Sequence, residues 1–351
     1  MRDSTRLSGP GELSGPGELS GTRPQAAPVK ELPDEPLAGL AARSGLRQSA
    51  ERPKLGAYLR SIWGRRHFIV TFATARNISL YTESRLGQVW QVLTPLLNAA
   101  VYYLIFGVIF SANRGIQHYI AFLVAGVFIF SFIERSMLTG SRVIGNNLSL
   151  IRALRFPRAC LPLSYVIVEF QQLLLSMIVL IVIVLFMEPV TWYWLLTVPV
   201  VLLLTLFNIG AGLIMARMGA QVRDISQILP FLLRTWRYFC GVMYSVSIIA
   251  HAMPHAVQKA LAGNPAAVYM SLIRWSLMAS YRANEPGAKP YNAAKCAAFY
   301  ASRHKPPPLQ AYCHPIFSVP RLWLLAAGWA VVTLIIGFLY FWRSEARYGR
   351  G

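Results

Sequence analysis

The sequence predicts an all-α integral membrane protein in which six helices cross the membrane and both termini lie in the cytosol. Of its 351 residues, 55% are hydrophobic and only 14% are charged, a balance typical of chains that face lipid. Apolar runs long enough to cross a bilayer recur along the chain, and arginines stand beside them. The net charge of +20 therefore reflects membrane topology rather than a nucleic-acid partner, which we exclude.

Residues 1–55 are predicted to form a disordered cytosolic tail. The stretch 7–21 repeats a short unit containing glycine and proline, and proline-rich sequence follows it. Such a composition offers almost nothing apolar to bury. The tail lacks the apolar core of a secretory signal peptide, and a dispensable extension is its simplest interpretation.

Residues 56–88 are predicted to form an amphipathic helix on the membrane surface. Apolar residues recur at spacings of three and four and alternate with arginines; they are Leu59, Ile62, Trp63, Ile69, Phe72 and Ala73. The arginines of such a helix can reach lipid phosphates, while tryptophan lies at headgroup depth. A helix packed on protein would show the same pattern, so that alternative stays open.

Residues 89–250 are predicted to hold five transmembrane helices, and a sixth follows near the C-terminus. A hydrocarbon core about 30 Å thick needs roughly 20 helical residues, and six segments of this chain are apolar enough. Their predicted bounds are 90–111, 119–139, 164–187, 192–216, 228–250 and 321–342.

The arginines predict which side of the membrane each short loop occupies. The loop after the first predicted span holds only Arg114, and the loop after the third holds neither lysine nor arginine. Arginines are concentrated in the segment 142–163, around 217–223 and in the tail 343–351. Because basic loops stay in the cytosol, these three regions are expected to be cytosolic.

The external region 251–320 precedes the last predicted span. Its first part is apolar with breaks at Pro254 and Pro265, a pattern that indicates short re-entrant helices whose ends protein must bury. Its second part is polar and contains Cys296 and Cys313, which could form a disulfide on the oxidising side. A metal site with the nearby histidines matches no common ligand spacing, and we predict none. The other two cysteines of the chain, Cys160 and Cys240, are expected to be unpaired.

The sequence lacks the motifs that would make this chain an enzyme or an ATPase. It contains no Walker A loop, HExxH, GxSxG or dinucleotide fingerprint, each of which places catalytic or phosphate-binding groups at a fixed spacing. After residue 90 only six acidic residues remain, and these are Glu134, Glu169, Glu188, Asp224, Glu285 and Glu345. We therefore expect transport, with its energy supplied by a partner. A membrane enzyme acting on glycans is the less favoured alternative, because His118, His251 and His255 have no accompanying carboxylate.

Four motifs occur in order along the chain. The first runs through Leu86, Gly87, Trp90, Leu93, Pro95 and Phe106, and the second through Asn147, Leu150, Ile151, Phe156, Pro157, Arg158, Leu161 and Pro162. The third is the pair Arg223 and Asp224, and the fourth runs from Asn264 and Pro265 to Arg274. In these motifs the chain resembles the permease subunits of ABC-2 type polysaccharide exporters, the family of Wzm-type O-antigen, teichoic acid and cell-wall galactan permeases. The tail and the insert at 280–318 depart from the family pattern.

The resemblance implies a type V ABC exporter architecture and a homodimer in the bacterial cytoplasmic membrane. It further implies two copies of a separate ATPase subunit, which would bind ATP and Mg, while this chain holds no cofactor. The implied cargo is a lipid-linked polysaccharide, and a cell-wall galactan on a polyprenyl carrier follows by analogy. A drug or lipid exporter of the same superfamily is the alternative within transport.

A cluster of arginines in segment 142–163, which we call the basic knot, is the predicted site of coupling to the ATPase. Arg152 and Arg155 share one face of a predicted short helix that Pro157 ends, and the knot comprises Arg152, Arg155, Phe156, Pro157 and Arg158. Arginines that only anchor the loop to anionic lipid would look similar. The resemblance favours coupling.

Aromatic and basic residues of the first and fifth predicted spans are the expected substrate channel, because aromatic faces stack on sugar rings. The set comprises Tyr102, Tyr103, Phe106, Arg234, Trp236, Arg237, Tyr238, Phe239 and Tyr244. Arginines inside a span are costly unless solvated, so Arg234 and Arg237 are expected to meet a pyrophosphate or to reach the headgroups. Glu134 and Glu169 are expected to pair with Arg135, Arg142 or Arg158.

Overall fold

The computed structural model describes residues 54–80, 89–109, 118–154, 156–222, 224–244, 255–284 and 318–345, together with residues 87, 116 and 246. Within these residues the chain is built from helices and turns, without strands. The predicted disordered tail, apart from its last two residues, and residues 285–317 of the insert, with Cys296 and Cys313, lie outside the described residues.

Twelve α-helices are present in the described residues. They are α1 (Leu55–Gly64), α2 (Arg66–Ser79), α3 (Val89–Tyr102), α4 (Tyr119–Asn146), α5 (Leu148–Ala153), α6 (Cys160–Leu185), α7 (Thr197–Gln221), α8 (Ile225–Phe239), α9 (His255–Gly263), α10 (Pro265–Leu277), α11 (Ala279–Asn284) and α12 (Val319–Trp342). A π-helical stretch, Tyr103–Ile109, continues α3, and a 3-10 turn, Trp192–Leu196, precedes α7.

Five helices of the described residues are long and apolar enough to cross a membrane. They are α3 with its π-helical continuation, α4, α6, α7 with its 3-10 turn, and α12. These five match the first four and the last of the predicted spans. The fifth predicted span, over 228–250, the sides of the loops and the re-entrant helices stay predictions.

The predicted single helix over 228–250 is wrong. Helix α8 ends at Phe239, and a turn follows in which Gly241 has a φ of 75°. That conformation is left-handed and suits glycine, which has no Cβ. Fifteen residues rise only about 22 Å, so α8 alone falls short of the hydrocarbon thickness.

Helix α4 lies at the centre of the bundle. Its residues 121–130 are all buried, and its aromatic side chains Phe122, Phe128 and Phe130 are among the largest fully buried ones. A helix that is apolar all round belongs in the interior of a protein. Helices α3, α6, α7, α8 and α10 pack against α4, and few residues of α3 and α12 are buried.

Helices α7 and α12 approach each other closely through glycines. A Cβ placed on Gly337 would meet the backbone of Gly210, and one on Gly210 would meet the backbone of Thr333. Small residues let helix backbones come together where lipid supplies no hydrophobic driving force. This contact fixes α12, and with it the C-terminal residues that follow.

The predicted surface helix over 56–88 is two helices, because the chain turns at Arg65 between α1 and α2. Ile69, Ala73 and Asn77 of α2 are buried against the protein, while Leu59 and Trp63 are exposed. One face therefore packs on protein, which was the alternative interpretation. The opposite face is free to meet lipid.

Replacing Gly337 with alanine is expected to force α7 and α12 apart, because the new methyl group would overlap the backbone of Gly210. Overpacking of this kind costs about 1–3 kcal/mol. The midpoint of thermal unfolding in detergent should fall by several degrees. Gly328→Ala on the same helix is the matched control, since no atom lies within 4 Å of its added Cβ. Equal unfolding midpoints for the two variants would contradict the close approach.

Candidate functional site

The predicted coupling segment lies between α4 and α6. Helix α5 ends at Ala153, with Leu154 in an extended conformation, so the predicted helix through Phe156 is wrong. Arg152 and Leu154 are exposed, whereas Phe156, Pro157 and Arg158 are half-buried. Arg155 lies outside the described residues. The segment thus has an exposed tip near Arg152 and an anchored base at the Phe-Pro-Arg motif.

Phe156 holds the base of the segment against α2. Its ring lies 5.6 Å from the ring of Phe68, measured between centroids, and it packs on a buried cluster with Ile151, Leu161 and Phe341. Such contacts between apolar side chains hold a loop in place. The motif residue Phe156 is therefore a packing residue.

Arg158 belongs to a polar network, which we call the anchor cluster, with Tyr58, Ala159 and Glu345. The Glu345 carboxylate accepts hydrogen bonds from the Tyr58 hydroxyl at 2.7 Å and from the Arg158 backbone N–H at 2.9 Å. The Ala159 N–H donates to the Tyr58 oxygen at 3.3 Å, and the Arg158 guanidinium donates to the Glu345 carbonyl. The cluster joins α1, the start of α6 and the end of α12.

Burial sets the protonation of the anchor cluster. It raises the pKa of the Glu345 carboxyl above its ordinary value, against the opposing hydrogen bonds from Arg158 and Tyr58. It also raises the pKa of the Tyr58 hydroxyl, and the nearby Glu345 adds to that shift. Tyr58 therefore stays protonated, and its hydroxyl donates a hydrogen bond to Glu345. Because the carboxyl binds its proton more tightly when folded, its contribution to stability is greatest at low pH and is lost as the pH rises through the raised pKa.

The turn that follows α8, at residues 240–244, is called the break below. Its backbone carbonyls lie inside the protein without helical partners, and Arg274 of α10 donates hydrogen bonds to them. Its Nη1 donates to the Gly241 carbonyl and its Nη2 to the Val242 carbonyl, each at 2.9 Å, and its Nε donates to the Phe122 carbonyl at 3.1 Å. Arg274 is 2% exposed, and its guanidinium lies over the Phe122 ring. The Tyr119 hydroxyl donates to the Met243 carbonyl at 2.8 Å. Irregular backbone at membrane depth needs such internal partners.

Asn264 ties the start of α10 to the same break. Its side chain caps α10 by accepting from the Ala266 N–H at 3.1 Å, and its Nδ2 lies 3.4 Å from the Cys240 sulfur. Pro265 occupies the first turn, where its missing N–H costs nothing. The predicted break at Pro265 is therefore confirmed, and the Asn-Pro to Arg motif has a structural role at the turn.

Arg237 of α8 is held by two residues of other helices. Its guanidinium pairs with the Glu134 carboxylate of α4 and donates to the Tyr102 hydroxyl of α3 at 2.7 Å. A charged group in an apolar surrounding is stable only when paired. The two contacts join α3, α4 and α8. From the sequence we expected Glu134 to pair with Arg135, Arg142 or Arg158, and this prediction was wrong.

Glu169 of α6 pairs with Arg135 of α4, as predicted. The Arg135 Nε lies 3.5 Å from the Glu169 carboxylate, and its Nη1 donates to the Gln172 amide oxygen at 2.7 Å. The acidic residues of α4 and α6 are thus each paired with an arginine of the same chain.

Most of the predicted channel aromatics are half-buried on the core. Trp236 meets the Phe130 ring edge-on at 5.7 Å, and Tyr103 lies 6.2 Å from Tyr119, both measured between ring centroids. Tyr102, Phe106 and Tyr244 also pack on the core. Tyr103 and Phe106 lie in the π-helical stretch, a geometry often found at functional positions.

The exposed face of α8 carries the remaining channel residues. Tyr238 and Phe239 are 46% and 60% exposed, and Arg234 is exposed one turn before Tyr238. This face combines a cation with aromatic rings. It can therefore offer both an anion contact and stacking surfaces.

A sequence profile described as ABC-2 type transporter matches residues 69–278, which is more than half of the chain. The chain belongs to the ABC-2 type transporter family. The matched region contains the coupling segment, the break after α8 and the buried α10.

Three O-antigen export system permease proteins called RfbA are similar to this ABC-2 transporter. One from Myxococcus xanthus is 27% identical over 226 residues, which is 64% of this chain and 82% of the relative. Two from Klebsiella pneumoniae are 28% and 27% identical over 174 and 173 residues, in each case 48% of this chain and 65% of the relative. The chain thus spans somewhat less than two thirds of the Klebsiella proteins.

Sequence reasoning missed several residues of this ABC-2 transporter that organise its site. Tyr58 and Glu345, two members of the anchor cluster, lie outside the matched region 69–278. Glu345 is the single acidic residue in an otherwise basic tail. That isolation could have indicated a carboxylate that binds hydrogen-bond donors elsewhere in the chain. Nothing in the sequence pairs it with Tyr58. Cys160 and Cys240 are buried free thiols, as predicted.

Arg274→Lys is expected to destabilise the ABC-2 transporter although it keeps the charge. One ammonium group cannot reproduce the three directed hydrogen bonds of the guanidinium, and each such bond is worth about 1.5–3 kcal/mol. Thermal unfolding in detergent and hydrogen exchange of residues 240–244 measure the effect. Arg343→Lys, at an exposed position, is the control. An Arg274→Lys protein as stable as wild type would contradict the role of Arg274 at the break.

Glu134→Arg and Arg237→Glu are each expected to destabilise the protein, whereas the double exchange should restore it. Breaking a fully buried pair costs about 3–5 kcal/mol; these side chains are 16% and 13% exposed, so we expect about 1–3 kcal/mol. The coupling free energy from a double-mutant cycle on thermal unfolding is the measurement. Additive losses in the double variant would show that the two residues do not act as a pair.

Proposed function

We propose that this ABC-2 transporter is the permease subunit of a system that exports a lipid-linked polysaccharide across the bacterial cytoplasmic membrane. The observation that carries the proposal is the family membership, together with relatives that are named O-antigen export permeases. In this proposal two copies form a homodimer and each binds a separate ATPase subunit. Those subunits bind ATP and Mg, and this chain hydrolyses nothing.

The proposed topology has six spans with both termini in the cytosol. The fifth span is the predicted segment 228–250, which begins within α8, and α9 with α10 forms a re-entrant pair entering from outside. Two observations support this arrangement: nearly every residue of α10 is buried, and arginines are concentrated in the loops assigned to the cytosol. The exposed face of α1, with Trp63, then lies among lipid headgroups.

The coupling segment divides into two parts with different roles in this proposal. The exposed Arg152 and Leu154, with Arg155 beyond them, enter a cleft of the ATPase subunit. Phe156, Pro157 and Arg158 hold the base of the segment and transmit its displacement. The division follows from their exposure and contacts, because an anchored residue cannot also be the inserted tip.

The exposed face of α8 is the proposed start of the glycan path. Arg234 would bind the pyrophosphate of the carrier lipid, and Tyr238 and Phe239 would stack on sugar rings. Arg237 is already paired with Glu134, so it holds the helix in place beside that path. The half-buried aromatics of α3 and α8 shape the wall behind it.

A cell-wall galactan on a polyprenyl carrier is the cargo to be tested first. Depleting the protein in cells should make the lipid-linked glycan accumulate in the cytosolic leaflet, and wild-type protein supplied in trans should relieve it. Arg234→Gln with Tyr238→Ala should fail to relieve the accumulation, whereas Leu324→Ala at an exposed position of α12 should succeed. Normal glycan export after depletion would refute the proposal, and retention of a drug or lipid instead would favour that class of exporter.

Arg152→Glu is expected to weaken binding of the ATPase subunit while the permease stays folded, because it reverses a charge on the exposed tip. The loss of one exposed ionic contact should weaken binding by about fivefold, measured as the dissociation constant of the detergent-solubilised complex. Arg343→Glu, a charge reversal outside the segment, is the control. Unchanged affinity of the Arg152→Glu permease would remove the tip from the docking surface.

A further inference from the structure

Helix α6 has no capping side chain of its own, although it follows directly on the coupling segment. Ala159 is its N-cap residue and makes no side-chain hydrogen bond. The first backbone N–H groups of a helix have no partner within the helix, and an unsatisfied buried N–H is costly. The N–H groups of Cys160 and Leu161 donate to the Pro157 and Arg158 carbonyls at 3.0 and 3.2 Å. The N–H groups that still need acceptors are therefore those of Arg158 and Ala159, in the turn that opens α6.

Two residues far away in sequence supply them. Glu345 accepts from the Arg158 N–H at 2.9 Å, and Tyr58 accepts from the Ala159 N–H at 3.3 Å. A carboxylate at this end also complements the helix dipole. The acceptors come from α1 and from the residues after α12, so the turn that opens α6 is held by both ends of the described chain.

The two acceptors hold each other as well. Tyr58 is 2% exposed, and its hydroxyl donates to the Glu345 carboxylate at 2.7 Å. Its ring lies 5.9 Å from that of Phe338 on α12. The Arg158 guanidinium, in turn, donates to the Glu345 carbonyl. Each member of the anchor cluster thus makes at least one hydrogen bond to another member.

We propose that Glu345 and Tyr58 are positioning residues for coupling: they clamp Arg158 and the first turn of α6 to α1 and α12. The clamp makes the base of the coupling segment rigid. A push on the exposed tip then displaces α6 and α12 together, rather than being absorbed by the loop. This inference rests on the proposed function, since it requires an ATPase that acts on the segment.

The test compares coupling in proteoliposomes that contain the permease with its ATPase subunit. The readout is the amount of lipid-linked glycan exported per ATP hydrolysed. Tyr58→Phe removes both hydrogen bonds of the hydroxyl but keeps the ring, and Glu345→Ala removes the carboxylate. Each variant should lower the amount of glycan exported per ATP by about fivefold or more. A lost hydrogen bond of about 1 kcal/mol changes the equilibrium between the clamped and the unclamped segment by about that factor. The affinity for the ATPase subunit should not change, because the tip is intact.

Conservative and neighbouring variants separate positioning from general stability. Glu345→Gln keeps one acceptor for the Arg158 N–H but cannot accept from Tyr58 with its amide nitrogen, so its ratio should lie between those of wild type and Glu345→Ala. Ser344→Ala is the matched control, since the Ser344 hydroxyl is buried without a hydrogen-bond partner among the described residues. Its ratio should equal that of wild type.

The outcomes distinguish this inference from the proposed function. Wild-type coupling in the folded Tyr58→Phe and Glu345→Ala proteins would overturn the clamp and leave the export function standing. Absence of ATP-driven glycan export by the wild-type complex would overturn the proposed function itself. If those variants do not fold, hydrogen exchange of wild type decides, because the clamp requires slow exchange of the Arg158 and Ala159 amides and fast exchange would refute it.

Discussion

The guanidinium of Arg274 holds together the part of the fold in which helical regularity is lost. The chain leaves α8 at Cys240, and the carbonyls of Gly241 and Val242 point into the protein instead of into a helix. In an apolar surrounding each unpaired carbonyl is costly. A single buried arginine binds both and adds the carbonyl of Phe122. Helix α10, which carries the arginine, has to be buried at the centre for this to work, and α4 has to lie beside it.

The same requirement explains the other polar contacts of the bundle. Arg237 is stabilised by Glu134, Arg135 by Glu169, and the backbone N–H groups of Arg158 and Ala159 by Glu345 and Tyr58. Each contact joins helices that are distant in sequence. Together with the close packing of α7 and α12 at Gly210 and Gly337, these polar contacts help to set which helices are neighbours. In the proposed function, two of them lie where motion would be transmitted: the anchor cluster at the coupling segment and the Arg237–Glu134 pair beside the break.

The sequence predicted the parts of this fold that depend on local composition. Hydropathy located α3, α4, α6, α7 and α12, and Pro265 marked the start of α10. It failed over 228–250, because the residues stay apolar across the turn and the feature that stabilises the turn is Arg274, far along the chain. The Phe156-Pro157-Arg158 motif marked a segment that joins α4 to α6, and its role in coupling stays a prediction. The motif does not show how this segment is anchored, because it reveals neither the packing of Phe156 on Phe68 nor the bond from the Arg158 N–H to Glu345.

In the proposed function, the permease moves a lipid-linked glycan only when an ATPase drives it. The most direct measurement is the transfer of a labelled lipid-linked glycan across a proteoliposome membrane, with and without ATP and the ATPase subunit. We expect transfer only when the permease, the ATPase subunit and ATP are present together. Transfer that proceeds without the ATPase subunit, or a glycan that stays in its original leaflet with all three present, would contradict it.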